Sequence, residues 1–151
     1  KILDRRGTSF ERLGDWKNAE KDLIESLKIL PNQAHVLNYL AYSWIDKGIN
    51  LDEGLEMLKK ANQIRKEDGY IIDSLGWAYY AKKNYIEAER FLQRAVELIP
   101  FDPIISDHYG DILWKLNKFL QANYFWNYVL NLEDTKLEIR NKIKDKLIFG
   151  V

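Results

Sequence analysis

The sequence of 151 residues contains no cysteine, which removes disulfides, thiolate metal sites and a cysteine nucleophile together. An empty cysteine count suits the cytoplasm and the periplasm equally, so it selects no compartment. Proline and glycine are scarce, at 3 and 8 residues, and no Val/Thr-rich alternating run occurs. Strands therefore have little to build on, and helices little to interrupt them. No apolar run approaches the roughly 18 residues of a membrane span. Neither sign of charge is in excess, with Lys plus Arg at 23 and Asp plus Glu at 23, so the basic surplus of a nucleic-acid binder is missing. The histidines number 2, His35 and His108, and they stand in no metal-ligand spacing. No nucleophile elbow and no Gly-rich phosphate loop is present. No catalytic residue, metal or cofactor is expected, and the chain reads as a non-enzyme. The first residue is Lys1 and no secretory pattern follows it, so the chain is expected to be part of something longer.

What is present is a beat. Gly7, Ala41, Gly76 and Gly110 are separated by 34, 35 and 34 residues, and Ala19, Gly54, Ala88 and Ala122 by 35, 34 and 34. Bulky residues keep the same period: Phe10, Trp44, Tyr79 and Leu113; Trp16, Leu51, Tyr85 and Phe119; Leu23, Leu58, Leu92 and Trp126. The one-residue slip falls within Lys47-Gly48-Ile49-Asn50-Leu51. Inside a period the apolar spacing is helical. Ile72, Leu75, Gly76, Tyr79 and Tyr80 form one stripe, and Tyr85, Ala88, Phe91, Leu92 and Ala95 form a second after a break at Lys82-Lys83-Asn84. Each unit is thus two helices of about a dozen residues joined by a tight turn. Gly14 and Gly48 mark that turn, and Pro31, Pro100 and Pro103 mark the junctions between units. Small side chains at two fixed columns let paired helices approach closely. One such pair cannot bury its own apolar faces, so neighbours must stack.

The pattern resembles the tetratricopeptide repeat, a helix-turn-helix unit. The third unit carries the resemblance best, through Leu75-Gly76, Tyr79, Tyr85, Ala88, Leu92, Ala95 and Pro100; the first matches through Gly14-Asp15-Trp16, Ala19, Leu23 and Pro31, and the fourth through Tyr109-Gly110, Phe119, Ala122 and Trp126. The runs Tyr70 to Tyr80 and Ser106 to Asp111 look like bacterial members, most of all large repeat proteins of the alphaproteobacteria. Lys66 stands in place of a terminal proline, Lys83 and Asn117 in place of turn glycines, and Arg6 in place of a leucine. The resemblance implies an all-α fold, a right-handed α-solenoid of stacked helix-turn-helix units forming a single domain. The repeats are expected at about residues 1–33, 34–68, 69–102 and 103–134, with a capping helix at about 135–149. In that helix Ile139, Ile143 and Leu147 share a face, Lys146 is expected largely off it, and Thr135 with Glu138 suggests a capping box.

The resemblance also implies that the first helix of each pair lines a concave surface. The inward stripes are Lys1, Asp4, Thr8, Glu11 and Arg12; His35, Asn38, Tyr42, Ile45 and Asp46; Tyr70, Asp73, Trp77, Tyr80 and Ala81; and Ile104, Asp107, Asp111, Trp114 and Lys115. Aromatic and acidic residues concentrate there. The expected contact set is Asn38, Tyr42, Tyr70, Asp73, Trp77, Tyr80, Asp107, Asp111 and Trp114, with Trp77 and Trp114 as anchors. Carboxylates beside aromatic faces suit a protein or peptide partner of basic or aromatic character, each cation–π contact contributing roughly 0.5–2 kcal/mol. Some members of the family grip a peptide carboxylate with Lys, Arg and Asn at this surface; Asp4, Asp73 and Asp107 in the equivalent columns argue against that version. The expected function is a protein-interaction scaffold without chemistry. The alternative is a structural element that self-associates by end-to-end stacking of repeats.

Overall fold

The computed structural model describes residues 14–151. The expectations for Lys1, Asp4, Arg6, Gly7, Thr8, Phe10, Glu11 and Arg12 lie outside the described residues. Among the described residues there are eight α-helices and no strand. The chain divides into two compact units, the first running to Lys66 and the second spanning Glu67–Val151.

The first unit holds α1 (Trp16–Ile29), α2 (Ala34–Asp46) and α3 (Leu51–Ile64). Asp15 caps α1 by accepting from the Asn18 backbone N–H, satisfying a donor that the first turn otherwise leaves open. Leu23 of α1 packs against Val36, Leu40 and Trp44 of α2. The Trp44 indole N–H donates to the Glu20 carboxylate at 2.7 Å, so the buried ring keeps its polar edge paired. Gly54 lets α3 lie close to α2, since a Cβ there would stand 3.2 Å from Ile45 Cδ1.

The second unit holds α4 (Gly69–Ala81), α5 (Tyr85–Leu98), α6 (Pro103–Lys115), α7 (Phe119–Leu130) and α8 (Leu137–Phe149). Asp68 caps α4 and Asp102 caps α6, each accepting two backbone N–H bonds, and Pro103 occupies the first turn of α6 where a missing N–H costs nothing. A Cβ on Gly76 would run into the Leu92 side chain, and one on Gly110 into the Trp126 indole. These two glycines are therefore the sites of closest approach in the pairs α4–α5 and α6–α7. One core is built from Ile72, Ala88, Leu92, Ala95, Ile105 and Ile112, and a second from Leu113, Ala122, Trp126, Val129 and Ile143.

The turn inside each pair keeps one conformation despite different side chains. Gly14, Gly48, Lys83 and Asn117 have φ of 80°, 72°, 62° and 60°. The substituted residues thus adopt the left-handed backbone that glycine favours. The slip in the repeat has a matching cause: Asn50 is a second left-handed residue, φ 48°, and α3 starts one position later after its turn glycine than the other outer helices do.

The terminal helix departs from expectation at its start. Its N-cap is Lys136 and no side chain caps it. Thr135 instead donates its hydroxyl to the Val129 carbonyl at 2.9 Å and is buried, so no capping box with Glu138 forms. Arg140 does the fastening: its guanidinium donates to the carbonyls of Leu130, Leu132 and Thr135 at 2.5, 2.6 and 3.0 Å. These carbonyls lie at the end of α7 and in the link that follows, where helix geometry leaves acceptors unfilled.

Candidate functional site

The face built by α4 and α6 gathers most of the polar and aromatic residues picked out in the sequence. The positions 70, 73, 77 and 80 on α4 and 104, 107, 111 and 114 on α6 each follow one helical stripe. Asp73 is buried, and its carboxylate lies 2.8 Å from His108 Nδ1, itself buried. Trp77 stacks on His108 with centroids 3.9 Å apart and on Tyr80 at 4.6 Å. Tyr70 stands at the start of α4 and is 55% exposed.

A cation sits on the α6 half of this face. Lys146, from α8, places its ammonium 2.8 Å from Asp107 Oδ1 and 2.9 Å from Asp111 Oδ1. Burial pushes the Asp111 carboxyl up to about 6; the charge of Asp107 adds to this, while Lys146 and His108 pull back. Burial works to lower the His108 value, but the adjoining Asp73 carboxylate, with Asp107 and Asp111 beyond it, outweighs burial and raises it. The Tyr80 phenol is raised by burial first and then by Asp111. The face is therefore acidic, partly desolvated and already arranged around positive charge.

Trp114 lies in different surroundings. Its ring meets Phe119 at 4.4 Å and Trp126 at 5.6 Å, and Gly150 packs on it so closely that a Cβ there would overlap the ring. Asn38 and Tyr42 lie on α2 of the first unit, both half-buried. The Asn38 Oδ1 is buried and finds no hydrogen-bond partner among the described residues. His35 is exposed.

Sequence reasoning missed two features. The Asp73–His108 pair joins columns of successive repeats that are 35 residues apart, a relation that no single helix displays. Lys146 was readable in principle: Ile139, Ile143, Lys146 and Gly150 follow spacings of 4, 3 and 4, so the lysine shares the packed stripe of α8.

Among the described residues no three His, Cys, Asp or Glu side chains are disposed to hold a metal ion, and no helix is long and apolar enough to cross a membrane. A cavity of about 310 Å³ lies against Asn117, Lys118, Phe119, Leu120 and Gln121. Its lining is one consecutive run at the α6–α7 turn and brings no convergent groups together.

The family model of the tetratricopeptide repeat matches residues 70–102, which are α4, α5 and the turn after them. A TPR repeat-containing protein of Pseudomonas aeruginosa is 32% identical over 110 residues, covering 73% of this chain and 18% of that protein. The chain thus spans about a fifth of that relative's length. Among solved structures, MamA 41-end from Desulfovibrio magneticus RS-1 superposes with a TM-score of 0.74 at 21% identity, over 89% of this chain and 76% of its own. A thermophilic TPR protein of Thermus thermophilus gives 0.65 at 16% identity over 98% of each chain. The first TPR of Spaghetti (RPAP3), bound to the HSP90 peptide SRMEEVD, gives 0.64 at 22% identity over 74% of this chain and 88% of its own. All three share the helical-repeat solenoid fold.

Proposed function

We propose, from the premise that this chain is a tetratricopeptide-repeat protein, a family of protein–protein interaction modules, that it binds a segment of another protein along the α4–α6 face and performs no catalysis. The observation that carries this reading is the concentration on one face of Asp107 and Asp111, partly desolvated, beside the stacked rings of Trp77, Tyr80 and His108. Desolvated carboxylates attract cations strongly, and flat aromatic faces add cation–π attraction. The partner segment is therefore basic, with lysine or arginine directed at Asp107 and Asp111 and an apolar or aromatic neighbour laid on Trp77 and Tyr70. The contrast with the acidic peptide held by the Spaghetti repeat supports this choice, because aspartates would repel such a ligand. The same reading assigns Asn38 and Tyr42 to partner contacts of the first unit, and Trp114 to a supporting position beneath the α6 end of the face.

Peptide arrays probed with the wild type and with Trp77→Ala test this. Loss of the basic spots from the Trp77→Ala array supports the reading. Identical arrays remove Trp77 from the site.

A second reading, self-association, draws on apolar side chains left exposed on α7 and α8: Leu120 at 87%, Tyr124 at 65%, Ile148 at 72% and Phe149 at 80%. A sedimentation series over concentration separates the two. Self-association that ignores substitutions at Trp77 and Asp111 but vanishes with Leu120→Ser favours stacking.

A further inference from the structure

The last two turns of α8 lie against the face just described, and they are fastened differently from its beginning. The first turns are held by the three carbonyl bonds of Arg140 and by Ile143, which is fully buried in the α6–α7 core. The end is held by the Lys146 ammonium on Asp107 and Asp111, by Leu147 packed at the core margin, and by Gly150 on the Trp114 ring. Lys115 adds a bond to the Val151 carbonyl at 3.2 Å. Gly150 has φ 75°, and a side chain there would be both strained and in collision with Trp114. The neighbouring Ile148 and Phe149 are exposed, so the end of the helix contributes little apolar burial of its own.

The Lys146 side chain is 18% exposed and those of its partners Asp107 and Asp111 are 16% and 9% exposed, so the paired groups are largely buried with only their rim at solvent. The two ion pairs of Lys146 are the kind of contact that exchanges without unpacking a core. The Arg140 and Ile143 attachments do not depend on them.

We propose that the C-terminal half of α8 is an intramolecular competitor for the α4–α6 face: Lys146 occupies the subsite at Asp107 and Asp111, and a partner's lysine or arginine enters by displacing it. The proposal rests on the reading of that face as the partner site and adds its regulation. Bound partner would leave α8 anchored at Arg140 and Ile143 with its last two turns free. Any change that loosens those turns would raise affinity for a basic segment.

The test uses the full chain with two readouts. Amide hydrogen exchange reports the latch without any partner. In Lys146→Gln, and independently in Gly150→Ala, which leaves every charge in place, amides 146–150 are expected to lose at least tenfold in protection. The amides of α4 and α5 are expected to keep theirs, which also verifies that each variant is folded. Unchanged protection at 146–150 in both variants overturns the proposal, as does a loss spread equally through α6 and α7. Fluorescence anisotropy of a labelled hexa-arginine peptide reports the face. Both loosened variants are expected to bind it about tenfold more tightly than the wild type, and Asp107→Asn/Asp111→Asn/Lys146→Gln more weakly than Lys146→Gln. Loosened turns with no gain in binding overturn the competition. If the carboxylate substitutions also leave binding unchanged, the reading of the face itself fails.

Discussion

His108 Nδ1 and Asp73 Oδ1 lie 2.8 Å apart, both side chains buried, and together they tie α6 to α4. Removing one partner leaves a buried charge without compensation, which typically costs 3–5 kcal/mol. His108→Leu is therefore expected to destabilise the fold by about that amount in urea unfolding. The double substitution with Asp73→Leu should recover part of the loss. A double mutant as unstable as the sum of the singles would show that the two groups do not act as a pair.

The pH dependence follows from the same cluster. The folded value of the Asp111 carboxyl is about 6 against an ordinary 3.8, so the native state holds this proton more tightly than the unfolded chain. Its contribution is full below the ordinary value and is lost as pH rises toward 6. His108 is raised above 6.5; its contribution is full below 6.5 and declines as pH rises through the folded value. Asp111 therefore makes stability fall between about pH 4 and pH 6, and His108 continues the fall above pH 6.5. Lys146 is raised from 10.5 and acts only above that window. Denaturation midpoints measured across the window check the slope, and Asp111→Asn should flatten its lower part.

Positions 76 and 83 respond in opposite senses to an exchange that involves glycine. Gly76→Ala drives a methyl into Leu92 at a helix crossing, so it is expected to cost about 1–3 kcal/mol despite alanine's better helix propensity. Lys83→Gly is expected to act in the opposite sense. Lys83 sits at φ 62°, a conformation that costs a non-glycine residue roughly 1–2 kcal/mol, against a smaller gain in unfolded-chain entropy on placing glycine there. A net stabilisation of up to about 1 kcal/mol is expected, read from thermal or urea midpoints.

The repeat architecture was legible because packing imposes it column by column. Gly76 faces Leu92 and Gly110 faces Trp126, and those contacts are why small and bulky residues alternate on one period. Even the slip at Asn50 left a mark in the spacing. The candidate face was legible as a list of residues but not as a site. A lysine in a basic tail reads as solvated, and only the tertiary fold shows Lys146 turned onto Asp107 and Asp111. Trp114 read as an anchor from its place on the stripe, which gives no sign that Gly150 packs on its ring. The Thr135–Glu138 pattern failed because burial of Thr135 against the Val129 carbonyl competes with capping.

The central claim is that the α4–α6 face receives the partner, and NMR titration of the isotopically labelled full chain with a basic peptide selected on the array tests it most directly. The account predicts perturbations concentrated at Tyr70, Trp77, Tyr80, Asp107 and Asp111, followed by those of Lys146 and Gly150 as α8 yields. Perturbations confined to Ile86, Leu120 and Tyr124, which are exposed on α5 and α7, would contradict it.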